Sequence, residues 1–252
     1  MNEILAVSYN PVLLGLSFAV SVLGSFIGLM ACRHIMGTDG RISWYNAVSA
    51  AVAIGGVAVW SMHFIGMLAL KVDLAHGYAL VETLVSMLAA IVATTLALAY
   101  VAKAPNSVVR LLGAGVALGL GVCVMHYLGM YGMRFGGVFV WNWALVALSV
   151  GIAIVAATAA LWLAFRASGF GMRLLAALVM GVAVCAMHYT GMAAADIVCT
   201  VTDRISAPTG FGVLSSSRLL LVVTFVVASL MLFMLLDQMR TAMDNQATKF
   251  KH

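Results

Sequence analysis

Charge is what this sequence has least of. Asp, Glu, Lys and Arg make up 8% of its 252 residues, against roughly 25% in a soluble domain. So thin a supply cannot cover a water-facing surface, which excludes a soluble globular protein. No stretch gathers the basic residues into a patch, so the net charge of +5 and the pI near 9.2 do not point to nucleic acid. The four cysteines, Cys32, Cys123, Cys185 and Cys199, have neither CxxC nor disulfide-like spacing. No basic segment precedes the first apolar block and no A-x-A-like site follows it, so it reads as a retained helix rather than a signal peptide. A Ser-His-Asp arrangement and a phosphate-binding loop are also missing, and nothing supports nucleophilic or hydrolytic chemistry.

What is present is apolar. Hydrophobic residues are 64% of the chain and mean hydropathy is +1.12. They fall into seven blocks, at about 12–32, 45–69, 80–102, 109–131, 142–165, 173–195 and 217–236. Each is long enough to cross a hydrocarbon core, which takes about 20 helical residues. The fold class expected is an all-α integral membrane protein of seven transmembrane helices. The connectors are short except 196–216, which holds Asp203, Arg204, Pro208 and Gly210 and has room for a short interfacial helix.

The basic residues set the orientation. Arg33, Arg41, Lys103, Arg110, Arg166, Arg173, Arg240, Lys249 and Lys251 fall on one side, and Lys71, Arg134, Arg204 and Arg218 on the other. The richer side is expected to be cytoplasmic, with the N-terminus outside and the C-terminus inside. Residues 1–236 read as the membrane domain. Residues 237–252 are polar, lack Gly and Pro, and read as a cytoplasmic helical extension that can serve as a linker to an output domain.

Three segments repeat. Gly56–Met67, Gly119–Met130 and Gly181–Met192 align without gaps, and their histidines, His63, His126 and His188, are 63 and 62 residues apart. That period is two spanning helices with their loops, so the core is expected to be three two-helix repeats plus one additional helix. Within each copy the leading glycine, the position three before His, the His, and the following Gly and Met recur at helical spacing, which predicts one surface. In the first copy these are Gly56, Trp60, His63, Gly66 and Met67; Cys123 and Cys185 replace the tryptophan in the others. Met62, Met125 and Met187 stand one residue before each His, about 100° round the helix. Each His lies roughly 16 to 18 residues into its helix, about 24 to 27 Å from the cytoplasmic end, so all three fall near the outer boundary of a ~30 Å core.

A single His in an apolar helix is usually a hydrogen-bonded core residue, and a single Met usually fills a gap. Three copies at one depth are different, because packing alone tolerates Leu or Ile where each repeat places a costly imidazole. The candidate metal ligands are therefore His63, His126 and His188 with Met67, Met130 and Met192, joined by Met62, Met125, Met187, Cys123 and Cys185. Imidazole with thioether and thiol is a soft set that favours copper, with no carboxylate in the motif to suit zinc. Haem is the rival, since His and Met are both axial ligands. His76 lies in an outer loop, Cys199 is a peripheral thiol, and Glu82 and Thr83 stand at the start of the third helix, where an N-terminal role is expected. Met30, Cys32, His34 and Met36 form a weak second cluster at the other side, the only hint of a metal transporter or chaperone. A haem- or copper-dependent membrane redox protein is the other competing reading.

Met187-His188-Tyr189-Thr190, with Met125-His126-Tyr127 and Met62-His63-Phe64 as variant copies, resembles the signature of the MHYT domain family over roughly residues 9–236. The resemblance implies a bacterial inner-membrane sensor domain with its motifs at the outer ends of alternate helices. It implies copper binding through Met, His and Cys, sensing of a diatomic gas (O₂, CO or NO), and output through fused domains that make or degrade cyclic di-GMP. Trp60 departs from the sulfur pattern of the other copies, which implies an asymmetric site. No output domain lies in these residues, so the chain itself is expected not to be an enzyme. The partners implied are membrane lipid, a diatomic gas, a cytoplasmic signalling domain or protein and, as a homodimer, a second copy; nucleic acid is not among them.

Overall fold

Seven helices long and apolar enough to cross a membrane follow one another along the chain. The computed structural model describes residues 3–249 except 38, 207 and 209, with side chains described throughout except at 237, 238 and 241–249. The helices are α1 (Pro11–Ala31), α2 (Trp44–Ala69), α3 (Leu80–Ala102), α4 (Val108–Tyr131), α5 (Trp143–Arg166), α6 (Phe170–Ala193) and α7 (Ser216–Lys249). Several starts are fixed by capping side chains that accept from otherwise unpaired N–H groups. Asn10 Oδ1 accepts from the Val12 and Leu13 amides ahead of Pro11 at the first helical position, and Asn142 does the same for α5. Ser43 and Ser107 cap α2 and α4. Lys251, counted above with the basic side, lies outside the described residues.

The first six helices close into a ring in chain order, with α6 packed back against α1. Helix α7 lies outside the ring against α2. As a result 94% of the most apolar window of α2 is buried, against 33% for α4 and α6, and strict three-fold symmetry is lost. The helix α2 differs internally as well: Val52–Ser61 is a π-helical segment, with Ser61 Oγ donating to the Gly56 carbonyl at 2.9 Å. Its counterparts in α4 and α6 are α-helical.

Short strands cap one face, formed by the N-terminal segment and the connectors between helices. Each motif-bearing helix runs on into a strand: α2 into β3 (Leu70–Val72), α4 into β5 (Met133–Phe135) and α6 into β7 (Ala195–Cys199). Each of these pairs antiparallel with the strand that leads into the preceding helix, namely β2 (Val7–Tyr9), β4 (His76–Ala79) and β6 (Gly137–Trp141). The repeating unit is therefore strand–helix–helix–strand. Two further strands, β1 (Glu3–Ile4) and β8 (Val213–Ser215), add to β7 and β4. His76 thus belongs to a strand, not a loop. Between β7 and β8 the long connector contains no helix among the described residues. Backbone pairing explains these strands: chain leaving a helix end carries unpaired carbonyls and amides, and a ribbon satisfies them locally.

Candidate metal centre

The motifs lie at the strand-bearing ends of α2, α4 and α6, on the inside of the ring. There the three imidazoles meet. The Nδ1 atoms of His63 and His188 are 3.1 Å apart, those of His126 and His63 3.1 Å, and those of His188 and His126 3.3 Å. The rings stand at 76° to 89° to one another with centroids 4.9 to 5.2 Å apart, like blades of a propeller. All three are fully buried.

Glycine makes this approach possible. A Cβ added at Gly66 would lie 2.3 Å from His188 Nε2, one at Gly129 2.3 Å from His63 Nε2, and one at Gly191 2.3 Å from His126 Nε2. Each imidazole is seated against the glycine three residues after the histidine of the next motif round the ring. Side chains larger than hydrogen at these positions would push the rings off the axis.

The triangle cannot satisfy itself. A neutral imidazole nitrogen either carries a hydrogen or offers a lone pair, never both. Among three mutually adjacent nitrogens at least one pair must then meet lone pair to lone pair, or hydrogen to hydrogen. The outward Nε2 atoms offer no relief, since none has a hydrogen-bond partner among the described residues. A cation on the axis removes the conflict, because all three lone pairs then face positive charge. The sides of the triangle would suit an ion held by all three nitrogens at the usual metal–imidazole length of about 2.0 Å. The group could hold a metal ion.

The other sequence candidates take several positions. Met67, Met130 and Met192 are buried together in one cluster, a helical turn beyond the imidazoles toward the strands. Met187 lines an axial cavity of about 50 Å³ on the side of the imidazoles away from the strands, with Val59, Val122 and Val184, each one turn before a histidine. Met62 and Met125 are buried. Cys123 packs with Ala153 of α5, while Cys185 lines a surface depression with Leu14 and Phe18 of α1. Neither thiol belongs to the group of potential ligand atoms that the three histidines form. The single surface expected from helical spacing is thus split, because a position three residues away is turned by about 60° and faces a neighbouring helix instead of the axis.

Those neighbours carry functional contacts that lie outside the repeated motif. Tyr189 Oη lies 3.0 Å from Ser17 Oγ of α1, and Tyr127 Oη lies 2.6 Å from Ser149 Oγ of α5. The corresponding serine on α3 is Ser86, but the first motif has Phe64, which lacks a hydroxyl. Trp60 takes over: its Nε1–H donates to the Thr83 carbonyl at 2.9 Å and to Ser86 Oγ at 3.2 Å. The signal was in the sequence, because Ser17, Ser86 and Ser149 each stand seven residues after the residue that immediately precedes their helix. Glu82 does not reach the imidazoles; it pairs with Arg134 of β5.

Comparison with known proteins finds the same three-fold repetition. The family described as "Bacterial signalling protein N terminal repeat", MHYT, matches residues 56–114, 119–177 and 181–243. MucR, a bifunctional diguanylate cyclase/cyclic di-GMP phosphodiesterase of Pseudomonas aeruginosa, is 39% identical over 196 residues, which are 75% of this chain and 28% of MucR. The cyclic di-GMP phosphodiesterase NbdA of the same organism is 34% identical over 193 residues, 74% of this chain and 24% of NbdA. The signalling protein YkoW of Bacillus subtilis is 29% identical over 196 residues, 75% of this chain and 24% of YkoW. The chain matches only about a quarter of the length of these relatives. No solved structure matches it.

Proposed function

Because the chain belongs to the MHYT family of bacterial signalling repeats, a family of membrane input modules, we propose that it is a metal-dependent sensor that holds copper on the His63/His126/His188 axis. The observation that carries this reading is the triangle of buried Nδ1 atoms, which conflict with one another until a cation lies among them. Copper is preferred to zinc because Met67, Met130 and Met192 are buried one helical turn beyond the histidines, while no carboxylate joins the three-histidine group among the described residues. Haem fits less well. Nitrogens 3.1 to 3.3 Å apart leave no slot for a macrocycle between them.

The signal is a diatomic gas or a change in redox state, for which a bound copper ion would supply an open coordination position and a one-electron couple. The protein's share is to hold the three rings by their glycine seats and Ser–Tyr or Trp contacts, and to exclude water with the strand layer. The site lies on the periplasmic side of the bacterial inner membrane, since the strand-bearing face carries only Lys71, Arg134, Arg204 and Arg218. Helix α7 carries the change to a cytoplasmic output such as cyclic di-GMP turnover, the activity in the names of MucR and NbdA. Residues 237–252 act as its linker, and turnover itself belongs to a separate domain.

The test is elemental analysis with an optical spectrum on detergent-purified protein, wild type against the triple variant His63→Ala/His126→Ala/His188→Ala. Copper bound by the wild type and lost from the folded variant is the expected result. Copper kept by the variant overturns the ligand assignment, and a Soret band overturns the choice of copper over haem.

A further inference from the structure

A second place in the molecule has the chemistry of a binding site, far from the imidazoles. At the face opposite the strands, a groove of about 850 Å³ runs between α3 and α4, lined by small residues that include Ala93, Ala97, Gly113 and Ala114. It extends along α3 from Ala89 to Tyr100. The eleven rises between them are about 16 Å, close to half of a ~30 Å core, so the groove is as deep as one leaflet. At the end away from the strands it joins a second depression of about 490 Å³, which shares Ile42, Trp44 and Lys103 and adds Arg41.

The two parts differ in kind. The groove is apolar; the depression brings two exposed cations together at the level where the exposed aromatics Trp44 and Tyr100 stand. Arg110 adds a third positive charge there, stacked 5.1 Å over the Tyr100 ring. No acidic side chain is among the described residues lining either part. The nearby Asp39 accepts from the backbone amide of Arg41. A cationic pocket continuous with an apolar channel one leaflet deep is complementary to one class of molecule.

The geometry points to a site for an anionic phospholipid, with its phosphate at Arg41 and Lys103 and one acyl chain in the groove between α3 and α4. Basic pockets between transmembrane helices recognise acidic headgroups in this way. The site bridges the start of α2 to α3 and α4, so an occupied groove ties two of the three motif helices together. This inference stands apart from the metal reading.

Native mass spectrometry of the detergent-solubilised chain, offered phosphatidylglycerol and phosphatidylcholine in equal amounts, tests it. The wild type is expected to retain one phosphatidylglycerol in preference. The double variant Arg41→Gln/Lys103→Gln should lose that preference by roughly fivefold for each charge removed. Gly113→Leu should lose the lipid itself while keeping the thermal stability of the wild type, because a Cβ there meets nothing within 4 Å. Equal retention of both lipids, or an unchanged preference in the double variant, overturns the proposal. So does a lipid-free dimer whose contact Gly113→Leu abolishes, which would assign the groove to a second copy.

Discussion

At the scale of single residues, the centre depends on what is missing from three positions. Gly66, Gly129 and Gly191 each leave the space of one Cβ, and an imidazole edge fills it. Gly129→Ala should therefore displace His63, opening the nitrogen triangle and weakening metal binding at least tenfold, a loss measurable by competition with a copper chelator. Gly151→Ala is the matched control, since nothing lies within 4 Å of its added Cβ, and it should bind metal as the wild type does. The motif's spacing made these glycines visible in the sequence, but only as members of the histidine-bearing surface. Their role as seats depends on which helix lies next round the ring. Trp60 is a similar case. Its identity broke the sulfur pattern of the repeats, while its hydrogen bonds to Thr83 and Ser86 replace the hydroxyl that Phe64 lacks.

At the scale of elements, α2 departs from its two counterparts. Ile54 lines the axial cavity nine residues before His63, whereas Leu118 and Met180 line it eight residues before His126 and His188. The wider turns of the π-helical segment absorb the extra residue. Gly55 now makes the close backbone approach to α3, 2.7 Å from its added Cβ to the Ala90 carbonyl. Gly56, which spacing placed on the histidine face, turns outward to Leu230 of α7. A π-helical segment within a helix often marks a functional position, and this one links the imidazole of His63 to α7, outside the ring. Gly56→Leu should accordingly displace α7 and leave the metal centre intact. Reduced cross-linking between cysteines introduced at 53 and 234, with unchanged copper content, would record that outcome; loss of copper would show that the two are not separable.

At the scale of the whole molecule, the imidazoles join helices that enter the ring from three separate repeats. A metal bound only by the folded state should stabilise all of it at once. With free metal at one hundred times its dissociation constant, the gain is about 2.7 kcal/mol, and the unfolding midpoint should rise by roughly 5 to 10 °C. Thermal unfolding in detergent, with and without copper, measures the shift, which should vanish in the triple histidine variant. The ion pairs of the strand layer, Arg134 with Glu82 and Arg204 with Glu3, are partly exposed and contribute far less.

Apolar blocks separated by sparse charges determined, by themselves, that this chain is a seven-helix membrane protein. The length of a span and the cost of burying ions leave little freedom. The triplicated motif also determined that three histidines stand at one depth, because helical rise converts residue number into height. Direction round an axis is another matter. Which imidazole meets which glycine, why Cys123 and Cys185 face neighbouring helices, and where α7 docks were decided by the closure of six helices into a ring and by one extra residue in α2. The strands, too short for any periodic pattern to register, were decided by partners more than fifty residues away in the chain.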